Sequence, residues 1–229
     1  MKGAALRRPR ASSVLVTLAM LAACGGSADK PPAVSVQGSR PAALRGTLLA
    51  PDSTTLVFVA CGTTDERPLE LRPYSRVMEA LVTLNGSVRD SIFLEVDADT
   101  TGGRIRAREA RFAARFTERP ADWSYCDRPR PAFAVEAVGT DPFWRVTLDS
   151  TLLVLERAEA PLEVAFVADT PVVRGDVATV MAHGEGGREQ TLQLDLRRTA
   201  CRDTMSGSWY PLRADVQVGK SVLHGCARR

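Results

Sequence analysis

The sequence predicts an all-β protein made of two small antiparallel barrels or OB-like domains, with one short helix in the first. Seven short segments are β-branched or alternate polar and apolar residues, turn residues separate them, and only one segment has helical spacing. A run of strands with a single early helix is typical of small barrels and sandwiches. The predicted strands are Thr55–Ala60, Ser91–Val96, Phe133–Val138, Trp144–Asp149, Leu152–Glu156, Leu162–Val167 and Thr191–Leu196.

Residues 1–23 are interpreted as a bacterial lipoprotein signal peptide. A basic region precedes the apolar Val14–Met20, and small residues lead to Cys24 in the order Leu-Ala-Ala-Cys. The apolar stretch is too short to cross a bilayer. We expect cleavage before Cys24 and acylation of that cysteine, which anchors the protein to a membrane. Because Gly25 stands where an aspartate often signals inner-membrane retention, we expect the outer membrane, with the protein facing the periplasm.

Residues 24–43 are interpreted as the lipidated cysteine and a flexible tether, since Gly, Ser, Ala and Pro dominate and no hydrophobic period is present. Four of the 30 basic residues lie in residues 1–23, which leaves 26 basic against 27 acidic residues in the mature chain. This balance argues against nucleic acid as a partner.

The first predicted domain spans residues 44–128 and contains the helical segment Tyr74–Leu84. There Val77, Met78, Leu81 and Val82 recur at intervals of three and four, which predicts one apolar stripe after Pro73.

Four cysteines remain once Cys24 is set aside: Cys61, Cys126, Cys201 and Cys226. An oxidising compartment favours disulfides, and four cysteines allow three connectivities. Pairing neighbours gives Cys61–Cys126 and Cys201–Cys226, with a boundary at the Pro-Arg-Pro sequence and a second domain over residues 132–229. The alternative is a copper or zinc site built from Cys201, His224 and Cys226.

The region from about Arg45 to Cys126 resembles the C-terminal OB-fold domain of NlpE-type outer-membrane lipoproteins. Val59-Ala60-Cys61-Gly62, the following helix and the late cysteine carry this resemblance. It implies an OB-like envelope domain. The copper-linked function of that family belongs to a Cys-x-x-Cys domain that this sequence does not contain, so copper sensing does not carry over.

The second half resembles an uncharacterised family of bacterial envelope proteins. Three motifs carry the resemblance: Gly139-Thr-Asp-Pro-Phe-Trp144, Cys201-Arg-Asp-Thr-Met-Ser206 and Leu223-His-Gly-Cys-Ala-Arg228. The family usually has Glu where this chain has Asp141, and Gly where it has Thr204. The resemblance implies an all-β envelope module and no particular activity.

We expect a lipid-anchored envelope protein that serves as a binding, structural or stress-related module, without catalytic activity, cofactor or metal. The two histidines, His183 and His224, give a Ser-His-Asp or Cys-His arrangement few ways to form, and no nucleophile elbow, zinc-protease motif or P-loop is present. The alternatives are an inhibitor of a lysozyme-like enzyme and a metal-binding envelope sensor. A less favoured alternative is a glycan hydrolase with Asp141 and Asp203 as acid and base.

A candidate recognition patch combines unusual residues of the C-terminal motifs: Asp141, Trp144, Asp203, Met205 and Tyr210. The expected partners are an envelope protein or peptidoglycan, or a lysozyme-like enzyme that this protein inhibits. The competing interpretation is that these aromatic and methionine side chains pack the core and that both aspartates stabilise turns.

Overall fold

The computed structural model describes residues 43–49, 55–84, 91–115, 125–127, 133–159, 163–184 and 191–229. Within these ranges the chain is mostly strand, with one short helix, and its strands close into two barrel-like sheets. The all-β prediction is therefore confirmed. The predicted signal peptide, Cys24 and nearly all of the tether lie outside the described residues, as does the predicted boundary at 128–132.

Five strands and the helix form the first barrel. They are β1 (Leu44–Leu49), β2 (Val57–Ala60), β3 (Glu66–Leu71), α1 (Val77–Thr83), β4 (Ile92–Thr101) and β5 (Arg104–Arg115). Strands β1, β2 and β3 form an antiparallel meander, β3 pairs with β5 in parallel, and antiparallel pairing of β5 with β4 and of β4 with β1 closes the ring. A five-stranded closed sheet with this mixture of pairings is OB-like, as predicted for this half.

The helix is shorter than predicted, and its burial differs from the predicted stripe. Tyr74 and Arg76 both have positive φ values, so helical geometry begins only at Val77. Val77 is buried against the barrel, whereas Met78 and Val82 are exposed. Of the predicted apolar stripe, Met78 and Val82 therefore do not face the core, because the short helix turns only a narrow face towards it.

The second barrel has eight strands in its ring. The strands of this half are β6 (Val135–Thr140), β7 (Phe143–Leu148), β8 (Leu152–Arg157), β9 (Glu163–Ala168), β10 (Val172–Arg174), β11 (Val177–Gly184), β12 (Thr191–Arg197), β13 (Cys201–Arg202), β14 (Trp209–Tyr210), β15 (Leu212–Val218) and β16 (Ser221–Arg228). The ring is an antiparallel meander, with β9 joined to β11 and β16 joined to β6, while β10 pairs only with β11 among the described residues. Alternate residues fill the interior, as in β12, where Leu192, Leu194 and Leu196 are fully buried.

Strands β13 and β14 leave the second barrel and join the first. They pair with each other, and Trp209 of β14 lies opposite Ala113 of β5. The Trp209 side chain is fully buried in the core of the first barrel, although it follows that barrel by about ninety residues in sequence. The chain from Pro31 to Arg229 accordingly forms one compact unit.

Both predicted disulfides are confirmed. Cys61 is bonded to Cys126, and Cys201 is bonded to Cys226. The second bond joins β13, in the first sheet, to β16, in the second. The four cysteines border a small apolar cluster that includes Phe93, Phe112, Ala114, Tyr210, Tyr125 and Val138. The bonds therefore flank the contact between the two barrels.

A chain of buried ion pairs crosses the same contact. Glu95 of β4 lies 3.0 Å from Arg45 Nε and 3.1 Å from Arg228 Nη1. Arg228 Nε also lies 2.7 Å from Glu136 of β6, which contacts Arg145 Nη2 at 2.8 Å. Burial lowers the pKa of Arg228, but the carboxylates of Glu136 and Glu95 outweigh burial, so its pKa is raised. Loss of one partner leaves a buried charge uncompensated, so these pairs favour a fixed arrangement of the barrels.

Candidate functional site

The first and third C-terminal motifs meet inside one end of the second barrel. Trp144 lies opposite Gly139 on the neighbouring strand, and its fully buried indole also contacts the position of Gly225. A Cβ atom on Gly139 would come within 2.1 Å of Trp144 Nε1, and one on Gly225 within 2.7 Å of Trp144 Cζ2. Both positions therefore require glycine so that the indole can lie against the backbone.

The second motif forms a closed loop beside the first. The Asp203 N–H donates to the Ser208 carbonyl at 2.9 Å, and the Gly207 N–H donates to the Asp203 carbonyl at 2.9 Å. The Asp203 carboxylate accepts hydrogen bonds from the Ser206 N–H, at 2.7 Å, and from the Ser206 hydroxyl. Hydrogen bonds among its own residues therefore hold the loop from residue 203 to 208 in one conformation.

One contact joins the two motifs at the surface. The hydroxyl oxygens of Thr140 and Thr204 lie 3.3 Å apart, although the residues are 64 positions apart in sequence. This contact places the turn containing Asp141, whose peptide bond to Pro142 is cis, next to the loop containing Met205. We call the exposed residues Asp141, Phe143, Thr204 and Met205 the rim surface.

The five residues of the predicted recognition patch fall into two groups. Asp141 is exposed, and Met205 at the loop tip is 76% exposed. Trp144 is fully buried, Asp203 and Tyr210 are buried, and burial raises the pKa of the Tyr210 hydroxyl. The three buried side chains pack the fold or hold the loop, so only Asp141 and Met205 of the predicted patch are available at the surface.

Phe143 belongs to the exposed surface of the site, although the predicted patch did not include it. It occupies the first position of β7 and is 49% exposed, whereas the adjacent Trp144 points into the barrel. The alternation of side chains along a strand explains this division. The sequence signal was available, because two consecutive aromatic residues at a strand start must face opposite sides.

The alternative metal site loses both sulfur ligands, because Cys201 and Cys226 are bonded to each other. His224 Nδ1 instead lies 2.7 Å from Asp215 Oδ1 on the outer surface of the barrel. The other histidine, His183, lies 3.1 Å from Asp169. Within the ranges that the structure describes, no three His, Cys, Asp or Glu side chains are grouped as metal ligands would be.

Comparison with known proteins adds no relative: no family model, curated protein or solved structure matches the chain. Among the described residues, no helix has the length and apolar character that crossing a bilayer demands.

Proposed function

We propose that this chain is a lipid-anchored protein of the outer membrane, facing the periplasm, that binds an envelope protein and catalyses no reaction. The observation that carries the proposal is the rim surface, where a hydrogen-bonded loop holds the exposed Met205 next to the turn between Thr140 and Phe143. Large apolar side chains that remain exposed on rigid supports are typical of interaction sites, because little ordering is needed on binding.

The two disulfides support an envelope location. Such bonds persist in oxidising compartments such as the periplasm and are rare in the cytosol. Both border the contact between the barrels, so they add to the rigidity of the unit that presents the rim surface. The lipobox at Cys24 supports attachment to a membrane in that compartment.

The chemistry of the rim surface favours a protein partner over peptidoglycan. A thioether and a phenyl ring gain most by burial against other apolar side chains, and the flexible methionine adapts to an irregular surface. Asp141 and Thr204 add an anionic group and a hydroxyl at the edge of these two side chains. The pattern of an apolar centre beside polar groups is that of a protein interface.

A binding role also agrees with the engagement of the candidate catalytic groups. The Asp203 carboxylate is buried and accepts two hydrogen bonds from Ser206 of its own loop. His183 and His224 are exposed, and each faces one aspartate. A general acid and base must instead converge on one substrate atom.

The test is crosslinking from the rim surface in cells, followed by affinity measurement with the captured protein. A photoreactive residue at position 205 should capture a defined envelope protein, and the same residue at position 222 should not. Phe143→Ser with Met205→Ser should then weaken binding by about tenfold or more, as expected when two interface anchors are removed.

Leu152→Ser with Val222→Ser is the matched control, because Leu152 is also 49% exposed and Val222 is exposed on another part of the barrel. Equal binding by wild type and the rim variant, or equal weakening in the control, contradicts the proposal. Turnover of peptidoglycan fragments by the purified protein would also contradict it.

A further inference from the structure

The outer surface of the first barrel is divided between two environments. One half, around Phe93 and Phe112, is covered by the contact with the second barrel. The other half carries four exposed arginines, one at the end of β3 and three at alternate positions of β5. We call this surface the arginine face; its residues are Arg72, Arg104, Arg106 and Arg108, with the carboxylates of Glu70 and Asp99.

Each carboxylate of the arginine face is shared by two arginines. Glu70 lies 2.6 Å from Arg104 Nη1 and 2.8 Å from Arg106 Nε. Asp99 contacts Arg72 Nη2 at 2.8 Å and Arg108 Nη2 at 2.6 Å. The carboxylates hold the side chains in a row, because Glu70, Arg106 and Asp99 lie opposite one another on β3, β5 and β4.

Sharing leaves the arginine face with an excess of positive charge. Four guanidinium groups face two carboxylates, so the excess is two charges. The neighbouring Arg111 and Asp97 form a balanced pair at 2.6 Å. The near-neutral total of the mature chain therefore hides a local asymmetry. A guanidinium has five N–H donors in a fork that fits phosphate oxygens.

An apolar strip borders the arginine face. Tyr74 follows Arg72 by two residues, and Met78 and Val82 lie four residues apart on one face of α1. All three side chains are exposed, with Val82 at 71%. Ser75 fixes the start of the strip beside the arginines, since its N–H donates to the Arg72 carbonyl and its carbonyl accepts from the Ala110 N–H of β5. Arginines beside exposed apolar side chains are typical of surfaces that rest on lipid headgroups.

The chain connectivity places this surface near the proposed anchor. The first strand begins at Leu44, about twenty residues after Cys24. The composition of this segment predicts a flexible tether, and a flexible linker of that length has a root-mean-square reach of about 25 Å. The first barrel therefore stays close to the leaflet that holds the lipid, and its surface meets phospholipid headgroups at high local concentration.

We infer that the arginine face docks on the anionic phospholipid headgroups of the membrane that carries the anchor. Arg72, Arg104, Arg106 and Arg108 contact the phosphates, and Tyr74, Met78 and Val82 enter the interfacial region. This contact adds a second attachment to the lipid and orients the rim surface of the other barrel for its partner. The inference rests on the proposed anchoring at Cys24, so its test uses protein without the lipid.

The experiment measures binding of the unlipidated chain from Gly25 to Arg229, which retains every described element, to vesicles of phosphatidylglycerol and of phosphatidylcholine. Binding to phosphatidylglycerol should exceed binding to phosphatidylcholine and weaken as salt rises, because screening shortens the range of the charges. Arg104→Gln with Arg106→Gln and Arg108→Gln should lower affinity for phosphatidylglycerol by at least about tenfold, given about 1 kcal/mol per basic residue near an anionic surface.

The matched control removes three exposed arginines from the second barrel, by Arg174→Gln, Arg197→Gln and Arg213→Gln. It changes the net charge equally and should leave binding within about twofold of wild type. Glu70→Gln with Asp99→Asn should strengthen binding, and this gain separates lost charge from lost folding.

Equal binding to both lipids, or equal loss in the control variant, overturns the inference. Fatty-acid labelling of the full chain tests the anchor separately. If the full chain is labelled but the unlipidated chain does not bind phosphatidylglycerol vesicles, docking on headgroups is refuted and the anchor is not.

Discussion

Trp209 offers the sharpest test of the fold, because it belongs to the second half of the sequence and to the core of the first barrel. Its side chain is fully buried, and the Arg76 guanidinium lies over its ring at 5.4 Å from the centroid. Arg76 also donates to the Pro211 carbonyl at 2.5 Å. One arginine of the first barrel therefore contacts both Trp209 of β14 and the residue that follows this strand. We predict that Trp209→Ala destabilises the whole unit.

The expected cost follows from the burial. Replacing a fully buried tryptophan by alanine removes its apolar contacts and leaves a cavity, at a cost of about 3–5 kcal/mol. For a unit of this size each kcal/mol lowers Tm by about 2–4 °C, so the expected fall is about 6–20 °C. Trp209→Phe should cost less, because Trp209 Nε1 is buried without a hydrogen-bond partner among the described residues and phenylalanine removes that group.

Calorimetry and circular dichroism at several wavelengths provide the assay, with Met205→Ala as the control. Met205 lies in the loop between β13 and β14 but is exposed, so its truncation should change the free energy of unfolding by less than about 0.5 kcal/mol. If Trp209→Ala lowers Tm by less than about 2 °C, or if only the second barrel loses stability, the assignment of Trp209 to the core of the first barrel is refuted. The same reasoning predicts that residues 44–128 alone do not form a stable domain.

Two further predictions concern the anchor and the pH dependence of stability. Cys24→Ala should abolish labelling by a fatty-acid probe and leave an unprocessed precursor, whereas labelling that persists excludes the lipoprotein assignment. Burial raises the pKa of Glu109 despite its ion pair with Arg198 at 3.0 Å, so the folded state holds this proton more tightly and the Glu109 contribution to stability rises as pH falls from 7 towards 4.5. Hydrogen bonds from Arg104 and Arg106 lower the pKa of Glu70, so its contribution is present above about 4.5 and is lost on acidification. Unfolding curves of Glu109→Gln and Glu70→Gln against wild type should therefore diverge with opposite signs as pH falls, and parallel curves contradict both assignments.

The sequence predicted the fold class and both disulfides because those features depend on local pattern and on cysteine parity. It missed β5, the longest strand of the first barrel, because arginine and alanine dominate its composition. The pattern was nevertheless present: Arg104, Arg106 and Arg108 point outwards, whereas Ile105 and Ala107 are buried. A period of two that alternates charged and small residues gives little hydrophobic contrast, although it positions strand side chains equally well.

The pairing of β13 and β14 with the sheet of the first barrel could not be predicted from the sequence. Strands of two residues have no measurable period, and their partner β5 ends almost ninety residues earlier. The contact between Thr140 and Thr204 has the same character, since closure of the second barrel determines it rather than any local preference. The predicted domain boundary at 128–132 remains a prediction, but contacts across it, such as Arg228 with Glu95, connect the two predicted halves.

The packing of Gly139, Trp144 and Gly225 changes where function should be sought in the motifs. These residues are the most recognisable part of the sequence, yet the indole and the two glycines fit one another inside the barrel and leave no surface for a ligand. In this chain the three residues serve packing, so they carry no information about a ligand. Under the proposed binding role, specificity therefore comes from the neighbours that the motif places at the surface. Phe143 is exposed because Trp144 is buried, and Met205 is exposed because Asp203 folds the loop beneath it.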